Sequence, residues 1–393
     1  MEVLGFIFLA IITIVSPVIA LPLNIIAFFV FKKHKKLIAI LLALSLACIA
    51  YIWKPDSHMD LYRWHLNVKY FSKANISTLI RFIKLNFEPL NYTIKYIIAK
   101  TENYNLLQFF VSMIGYYLIF WMLSDYHKVK NISNFSFLVV TTFILMSLKY
   151  IDFISGLWFN FTVIIFALGV YLNYIKQTNN IHWLFYIIPI LIHTSSIYLL
   201  IILIITKVLK LKDYKKIGII TFFAAFCIGP VLTFVNNNVN ISIIKFIYGM
   251  YVNYFLDGQK YSSLHGGTNL FLALSRLGVC IAIILSNKKI LDNFDNRYKV
   301  FIVMCITSVI AILFDAQVYI RFVFFIQLIS IPILLEYFSG KYSNKKIIIL
   351  FVVLILIMFL AYRQFEQIQM SNIIPCIKNN IINNIFNLKN GTL

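Results

Sequence analysis

The run IIPILIHTSSIYLLIILI, Ile187 to Ile204, places one histidine, one threonine and two serines in the middle of an otherwise apolar segment. A helix of this length extends about 27 Å, close to the roughly 30 Å hydrocarbon core of a bilayer. The run therefore predicts a membrane-embedded segment. His193 and its polar neighbours are either absorbed by a bundle of helices or mark a functional site.

Apolar runs of this kind recur along all 393 residues, of which 61% are hydrophobic and only 12% charged. Soluble domains carry roughly a quarter charged residues, so this composition indicates a membrane protein. We predict an all-α, polytopic protein with about 10–12 transmembrane helices in a single membrane domain, residues 1–393. The first apolar run is too long for a signal peptide and is predicted to be retained. The predicted spans are 5–31, 37–53, 105–123, 135–148, 153–175, 217–235, 269–286, 300–314, 317–338 and 347–365.

The net charge of +21 is concentrated in short Lys/Arg clusters between the apolar runs. Such clusters fix membrane topology and contact anionic headgroups, so membrane lipid is a predicted partner and nucleic acid is not. The five cysteines are scattered without CxxC spacing, which indicates neither a metal site nor a disulfide framework. No cofactor is expected.

The positive-inside rule places the cluster KKHKK, Lys32 to Lys36, in the cytoplasm and the N-terminus outside. The loops 124–134 and 176–182 then also fall inside. A single crossing by residues 181–206 would put the next basic cluster, Lys207 to Lys216, outside. A re-entrant hairpin, in which Pro189 breaks the helix just before His193, would keep that cluster inside. An error in one of the earlier predicted spans would have the same effect.

Three stretches lie outside the membrane core: an outer segment, 54–104, an outer loop, 236–268, and the tail, 366–393. The outer loop carries four tyrosines that either form an interfacial aromatic belt or stack on sugar rings: Tyr248, Tyr251, Tyr254 and Tyr261. In the outer segment, Asn75 to Lys100 has apolar residues every three or four positions. This pattern predicts an amphipathic helix on the outer membrane surface, interrupted at Pro89. Its predicted polar stripe is Arg81, Lys84, Glu88, Asn91 and Lys95.

Only two of the 35 Lys and Arg residues lie clearly within predicted spans, Arg276 and Arg321. An arginine in the membrane is costly and is expected to face protein or water. The two side chains either snorkel to nearby headgroups or line an outward-facing cavity. In a cavity they would suit phosphate, whose oxygens the guanidinium fork can bind in pairs.

Four short motifs stand out in the sequence: Asp60-x-x-Arg63-Trp64, Phe87-Glu88-Pro89-Leu90, Ile192-His193-Thr194-Ser195-Ser196 and Arg321-Phe322. Together they resemble the EpsG family of Wzy-type bacterial polysaccharide polymerases. The resemblance covers roughly residues 40 to 340. Leu157 to Phe161 departs from the family pattern, in which an Arg-Gln-like pair is expected to open the fifth span.

The resemblance implies a GT-C-like glycosyltransferase in the bacterial cytoplasmic (inner) membrane, with its active site facing outward. Such an enzyme joins oligosaccharide repeat units carried on undecaprenyl pyrophosphate into a surface polysaccharide, and a chain-length regulator protein is a further candidate partner. The reaction needs a general base for the acceptor hydroxyl, for which His193, Asp60 and Glu88 are the candidates. Cations would stabilise the pyrophosphate leaving group, and the candidates are Arg321, Arg276 and Arg63.

Two other classes of function remain open. A polysaccharide ligase or a single-addition lipid-linked glycosyltransferase would use the same arginines at the same face of the membrane. A flippase or transporter of lipid-linked oligosaccharide belongs to a different class. The sequence lacks the internal repeats and paired broken helices that transporters often show.

Overall fold

The computed structural model describes residues 2–31, 33–208, 214–239, 245, 248–249, 252, 266–286, 288–311, 316–340 and 343–388. Every regular element in these ranges is helical, and they contain no strand. The all-α, polytopic class is therefore confirmed. Most of the outer loop 236–268 lies outside the described residues, so the role of its tyrosines stays a prediction.

The chain forms two compact units, Met1–Ile197 with Ile357–Leu393, and Tyr198–Leu356. The first unit contains α1 (Glu2–Val15), α2 (Pro17–Val30), α3 (Lys35–Ile52), α4 (Asp60–Ser72), α5 (Ile76–Asn86), α6 (Pro89–Ala99), α7 (Leu106–Val129), α8 (Asn134–Ser147), α9 (Tyr150–Ser155), α10 (Leu157–Tyr174), α11 (His182–Ile192) and a 3₁₀ turn, Thr194–Ser196. The second contains α12 (Ile197–Val208), α13 (Tyr214–Asn238), α14 (Gly266–Ser286), α15 (Lys288–Asp292), α16 (Asn296–Ala311), α17 (Ala316–Ile329) and α18 (Ile331–Ser339). Helix α19 (Asn344–Met370) crosses the division, and α20 (Ile373–Lys378) and a 3₁₀ turn, Ile385–Asn387, complete the first unit.

Among the described residues, four helices are long and apolar enough to cross a membrane unaided: α3, α7, α10 and α19. A fifth crossing is formed if the pair Phe322–Ile329 and Ile331–Ser339, bent by 54°, acts as one span. The predicted span 317–338 is thus not a straight helix. Its break falls at Ser330, two residues before Pro332, which is tolerated in the first turn of a helix but would interrupt a continuous one.

The predicted single span 5–31 is wrong, because this stretch is a hairpin of two helices. Ser16 caps α2 by accepting a hydrogen bond from the Ile19 N–H, and Pro17 occupies the first position of the new helix. The hairpin brings the Glu2 carboxylate to 3.1 Å from the Lys33 backbone N–H. The N-terminus therefore lies on the same side as the KKHKK cluster, not on the opposite side as predicted.

Three loops predicted to be cytoplasmic are joined by one carboxylate, Asp125, near the end of α7. Its oxygens lie 2.7 Å from the Lys36 ammonium and 3.2 Å from that of Lys176. The Tyr171 hydroxyl donates a third hydrogen bond to it at 3.0 Å. Since the three loops meet at one carboxylate, they lie on one side of the first unit, as the positive-inside rule predicts.

The opposite end of the first unit joins the outer segment to the tail. Asn372 donates a hydrogen bond to Asp56 at 2.8 Å, and Gln367 donates one to Asp152 at 3.0 Å. The tail therefore packs on the same end of this unit as the outer segment.

Residues 181–206 form a broken helix whose break is at His193, and Pro189 lies inside the first of the two helices. Helix α11 continues through Pro189, and the His193 N–H donates to the Pro189 carbonyl at 2.8 Å. His193 itself is extended, with φ −148° and ψ 113°, and a short 3₁₀ turn leads into α12. The predicted break in the helix is confirmed, whereas the return of the chain toward the cytoplasm stays a prediction.

Cysteine labelling in a background without native cysteines tests these two points of topology. Because Glu2 lies beside Lys33, single cysteines at Val3 and Lys33 should react with an impermeant reagent from the same side, and one at Lys73 from the opposite side. A re-entrant hairpin further requires positions 177 and 210 to react from the Lys33 side. If the cysteine at Val3 reacts from the same side as that at Lys73, the helical hairpin is contradicted. If the cysteine at position 210 reacts from the Lys73 side, the re-entrant hairpin is contradicted.

Candidate functional site

Glu88 lies at the sharp turn between two helices of the outer segment. Phe87 ends α5 in the left-handed region with φ 55°, and Pro89 occupies the first turn of α6. Proline is favoured there because its fixed φ suits a helix start and its missing N–H is not needed. Glu88 is the N-cap residue of α6 but makes no side-chain cap hydrogen bond, so its carboxylate is available to bond elsewhere.

The Glu88 carboxylate bonds to the broken helix that carries His193, more than a hundred residues away in the chain. His193 Nδ1 lies 3.1 Å from Glu88 Oε1, and the Thr194 N–H donates to the same oxygen at 3.1 Å. Because an ionised carboxylate only accepts hydrogen bonds, the Nδ1 nitrogen must carry the proton. The break at His193 is what turns its ring and the next N–H toward Glu88.

Two further donors complete the surroundings of Glu88. Asn91, one turn along α6, donates to Oε2 at 2.6 Å, and the Thr194 hydroxyl donates to Oε1 at 3.3 Å. Burial alone would raise the pKa of Glu88, but the hydrogen bonds from His193, Thr194 and Asn91 together hold this pKa below its usual value. Glu88 is therefore ionised at neutral pH.

The other ring nitrogen of His193, Nε2, has no hydrogen-bond partner among the described residues. The His193 side chain is 19% exposed and that of Glu88 14%, so the pair is accessible at its edge yet mostly shielded from solvent. The ring of Phe159, at the start of α10, meets the imidazole edge to face with a centroid distance of 5.9 Å. The pair thus presents one free imidazole nitrogen from a fixed ring.

Lys95 lies on the same face of α6, one turn beyond Asn91, and is only 1% exposed. Its ammonium is surrounded by aromatic rings, 4.1 Å from the Trp64 centroid, 4.9 Å from Tyr92 and 5.8 Å from Trp158. Such cation–π contacts are strongest where water is excluded. Burial lowers the pKa of Lys95 to about 7, against a smaller opposing effect of the Glu88 charge.

The predicted interruption at Pro89 is confirmed, because one helix ends at Asn86 and the next begins at Pro89, but the prediction of Asn91 and Lys95 on an exposed polar stripe is wrong. Helices α5 and α6 are separate and pack together, for example through Phe82 and Tyr92, whose centroids are 5.6 Å apart. Asn91 and Lys95 are buried because α6 also packs against α4 and α11. The polar stripe of α6 therefore faces the protein.

Asp60 and Arg63 form an ion pair with each other in the first turn of α4. The Arg63 guanidinium lies 2.9 Å from the Asp60 carboxylate, and the two side chains are 62% and 44% exposed. Neither contacts the Glu88–His193 pair among the described residues. The adjacent Trp64 does reach Lys95, so this motif joins the site through its tryptophan.

His65, in the same stretch, is buried. Its Nε2 lies 2.7 Å from the Gln108 side-chain oxygen, and the Gln108 amide donates to the carbonyls of Ala50 and Trp53. Burial lowers the pKa of His65 to about 4, so it is neutral at physiological pH. Its role is to fasten α4 to the ends of α3 and α7.

The two arginines of the predicted spans, Arg276 and Arg321, belong to the second unit. Arg276 in α14 is 2% exposed, and its Nε donates to the Leu272 carbonyl at 3.3 Å, one turn earlier. The backbone of Arg321 lies in α17, and its side chain is outside the described part of the chain. Their predicted role at a pyrophosphate stays a prediction.

Three of the motifs that carry the resemblance thus converge in the first unit, through Trp64, Glu88 and His193. A family model agrees, since the EpsG family model matches residues 58–377. The chain belongs to the EpsG family. Membership in this family indicates a polysaccharide polymerase-like function and a glycosyltransferase-like reaction in general. No curated protein and no solved structure matches the chain.

Sequence reasoning missed Lys95, Trp158 and Phe159 as members of this EpsG-family site. Lys95 could have been found, because positions 88, 91 and 95 fall on one face of a helix. Trp158 and Phe159 lie where the family pattern leads us to expect an Arg-Gln-like pair. Here these aromatic residues contact Lys95 and His193 instead.

Replacing Lys95 with methionine should raise the thermal stability, and more at pH 6 than at pH 9. The folded state holds the Lys95 pKa near 7, well below the 10.5 of an exposed lysine. Its burial penalty is therefore complete below pH 7 and disappears as the pH rises toward 10.5. Melting of the purified protein at both pH values measures the effect. Lys84→Met on exposed α5 is the control, and an equal gain at both pH values would contradict the burial of a titrating ammonium.

Proposed function

We propose that this chain is a membrane glycosyltransferase that polymerises undecaprenyl-pyrophosphate-linked oligosaccharide repeat units at the outer face of the bacterial cytoplasmic membrane. Family membership supports a polymerase-like activity, and the basic clusters support the orientation. The observation that carries the proposal is the Glu88–His193 pair, built from two distant motifs on the end of the unit opposite to KKHKK.

In this proposal His193 is the general base. An acceptor sugar hydroxyl approaches the free Nε2 and gives it a proton as its oxygen attacks the anomeric carbon of the donor. Glu88 accepts the hydrogen bond from Nδ1, holds the ring in the tautomer that leaves Nε2 unprotonated, and stabilises the imidazolium that forms. Glu88 thus acts through His193 and is a positioning residue.

The bond that breaks joins the anomeric carbon to a phosphate oxygen. The electron pair leaves with the lipid pyrophosphate, so positive charge near that oxygen lowers the barrier. We assign this role to Arg321 and Arg276, with Arg63 as a further candidate whose guanidinium is now bound to Asp60. Asp60 is the weaker base candidate because it is exposed and already paired.

Loss of the protein in the parent bacterium distinguishes this function from its rivals. Without a polymerase, cells should keep repeat units on the lipid carrier at the outer face and show single units on their surface glycan. A flippase would instead leave the repeat units on the inner leaflet, where an impermeant glycosidase added to intact cells cannot reach them. A ligase would leave long polymer on the carrier, so either of these results would overturn the proposal.

A further inference from the structure

The first unit holds a pocket that the proposed reaction does not use, at the end opposite to the Glu88–His193 pair. The start of α3, the end of α7 and the turn before α8 enclose a cavity of about 790 Å³. We call it the basic pocket, and no acidic side chain is among the described residues that line it. The lining side chains able to carry positive charge are Lys33, His34, Lys35, Lys36, His127 and Lys128.

Lys35 is the residue of this pocket that indicates a ligand. It is 6% exposed, and its ammonium is buried without a hydrogen-bond partner among the described residues. The nitrogen lies 3.9 Å from the centroid of Phe137, a ring that also meets the imidazole of His127 at 4.5 Å. A buried ammonium is costly unless an anion or hydrogen-bond acceptor reaches it. Lys35 is one of the residues that line the basic pocket, so an anion bound there is the candidate acceptor.

The backbone at the start of α3 adds to the positive potential. The N-cap residue His34 is in the left-handed region, φ 62°, and its side chain makes no cap hydrogen bond. The 18-residue helix therefore directs uncapped N–H groups and the positive end of its dipole toward the pocket wall. A helix start of this kind favours bound phosphate.

The carboxylates near the pocket do not neutralise it. Asp125 is shared between Lys36 and Lys176, and Glu2 accepts a hydrogen bond from the Lys33 backbone. Within the described ranges, no carboxylate pairs with the side chains of Lys33, Lys35 or Lys128. Three lysines thus remain without a counter-ion in one concave site.

We propose that the basic pocket binds a phosphate group at the side of the membrane predicted to be cytoplasmic. Lysine ammonium groups and helix N–H groups together match the several acceptor oxygens of a phosphate. The phosphate belongs either to the headgroup of an anionic phospholipid in the inner leaflet or to a soluble phosphate compound. This site is separate from the Glu88–His193 pair and does not depend on the proposed reaction.

The test uses the full-length purified protein, with its melting temperature as the readout. It is titrated with phosphatidylglycerol, with phosphatidylcholine, and with inorganic phosphate. The variants are Lys35→Gln and Lys128→Gln, and Lys130→Gln is the matched control, since Lys130 is exposed in the same turn and does not line the pocket. Each pocket variant should weaken the apparent affinity by about fivefold, as expected for one lysine near a phosphate surface.

Stabilisation by phosphatidylglycerol alone, weakened in both pocket variants, supports the site with a lipid headgroup as its ligand. Stabilisation by inorganic phosphate with the same dependence on lysine supports it with a soluble ligand. Equal effects of the two lipids together with no stabilisation by inorganic phosphate, or equal responses of Lys128→Gln and Lys130→Gln, would overturn the proposal. Lys128 is exposed, so its variant keeps the test valid even if Lys35→Gln does not fold.

Discussion

Replacing His193 with alanine should slow the joining of repeat units by about 10²–10⁴-fold, the usual contribution of a general base. The acceptor hydroxyl then has no group at Nε2 to take its proton, whereas binding of the lipid carrier is unaffected. The measurement is the rate of product formation by purified protein, with the amount of folded protein matched between samples. His58→Ala is the control, because His58 is an exposed histidine of the same outer segment.

Glu88→Gln should give a smaller loss than His193→Ala, and the double variant should be no slower than His193→Ala alone. An amide keeps one acceptor oxygen but loses the charge that stabilises the imidazolium, and it presents an N–H₂ group to one of the present donors. Groups that act as a unit are not additive. Additive losses, or an unchanged rate for His193→Ala, would show that the pair is structural.

Arg321→Lys should lower the rate by about 10²–10³-fold while the protein still inserts and folds. Lysine keeps the positive charge but cannot bind two phosphate oxygens with one planar fork. The measurement is donor turnover in the reconstituted protein. Arg297→Lys, at an exposed position near the start of α16, is the control. Normal turnover by Arg321→Lys would remove Arg321 from the pyrophosphate site.

The sequence was sufficient to predict the helical membrane class and most of the long helices, because hydropathy over about 20 residues is a local property. The predicted single span 5–31 was wrong, because the prediction used the hydropathy of the whole run and overlooked the helix start that Ser16 and Pro17 encode. The bend at Ser330 was missed for the same reason. The division into two units depends on packing between distant helices, which no local pattern reports.

The candidate site was predictable residue by residue but not as an assembly. The motifs around Glu88 and His193 were both identified, yet their hydrogen bond joins positions 105 residues apart. Only the packing of α6 against α11 determines that contact. Lys95 was assigned to an exposed surface because an amphipathic pattern does not say whether its polar face meets water or protein. Asp60 and Arg63 lie on the exposed side of α4 and form an ion pair with each other there.

The most direct test of the polymerase proposal is a reaction with the purified protein and one defined undecaprenyl-pyrophosphate-linked repeat unit, followed by sizing of the glycan products. We predict a ladder of lipid-linked chains that grows by whole repeat units and is lost in His193→Ala. A product that is only one unit longer, or no glycosidic bond at all, would contradict the proposal.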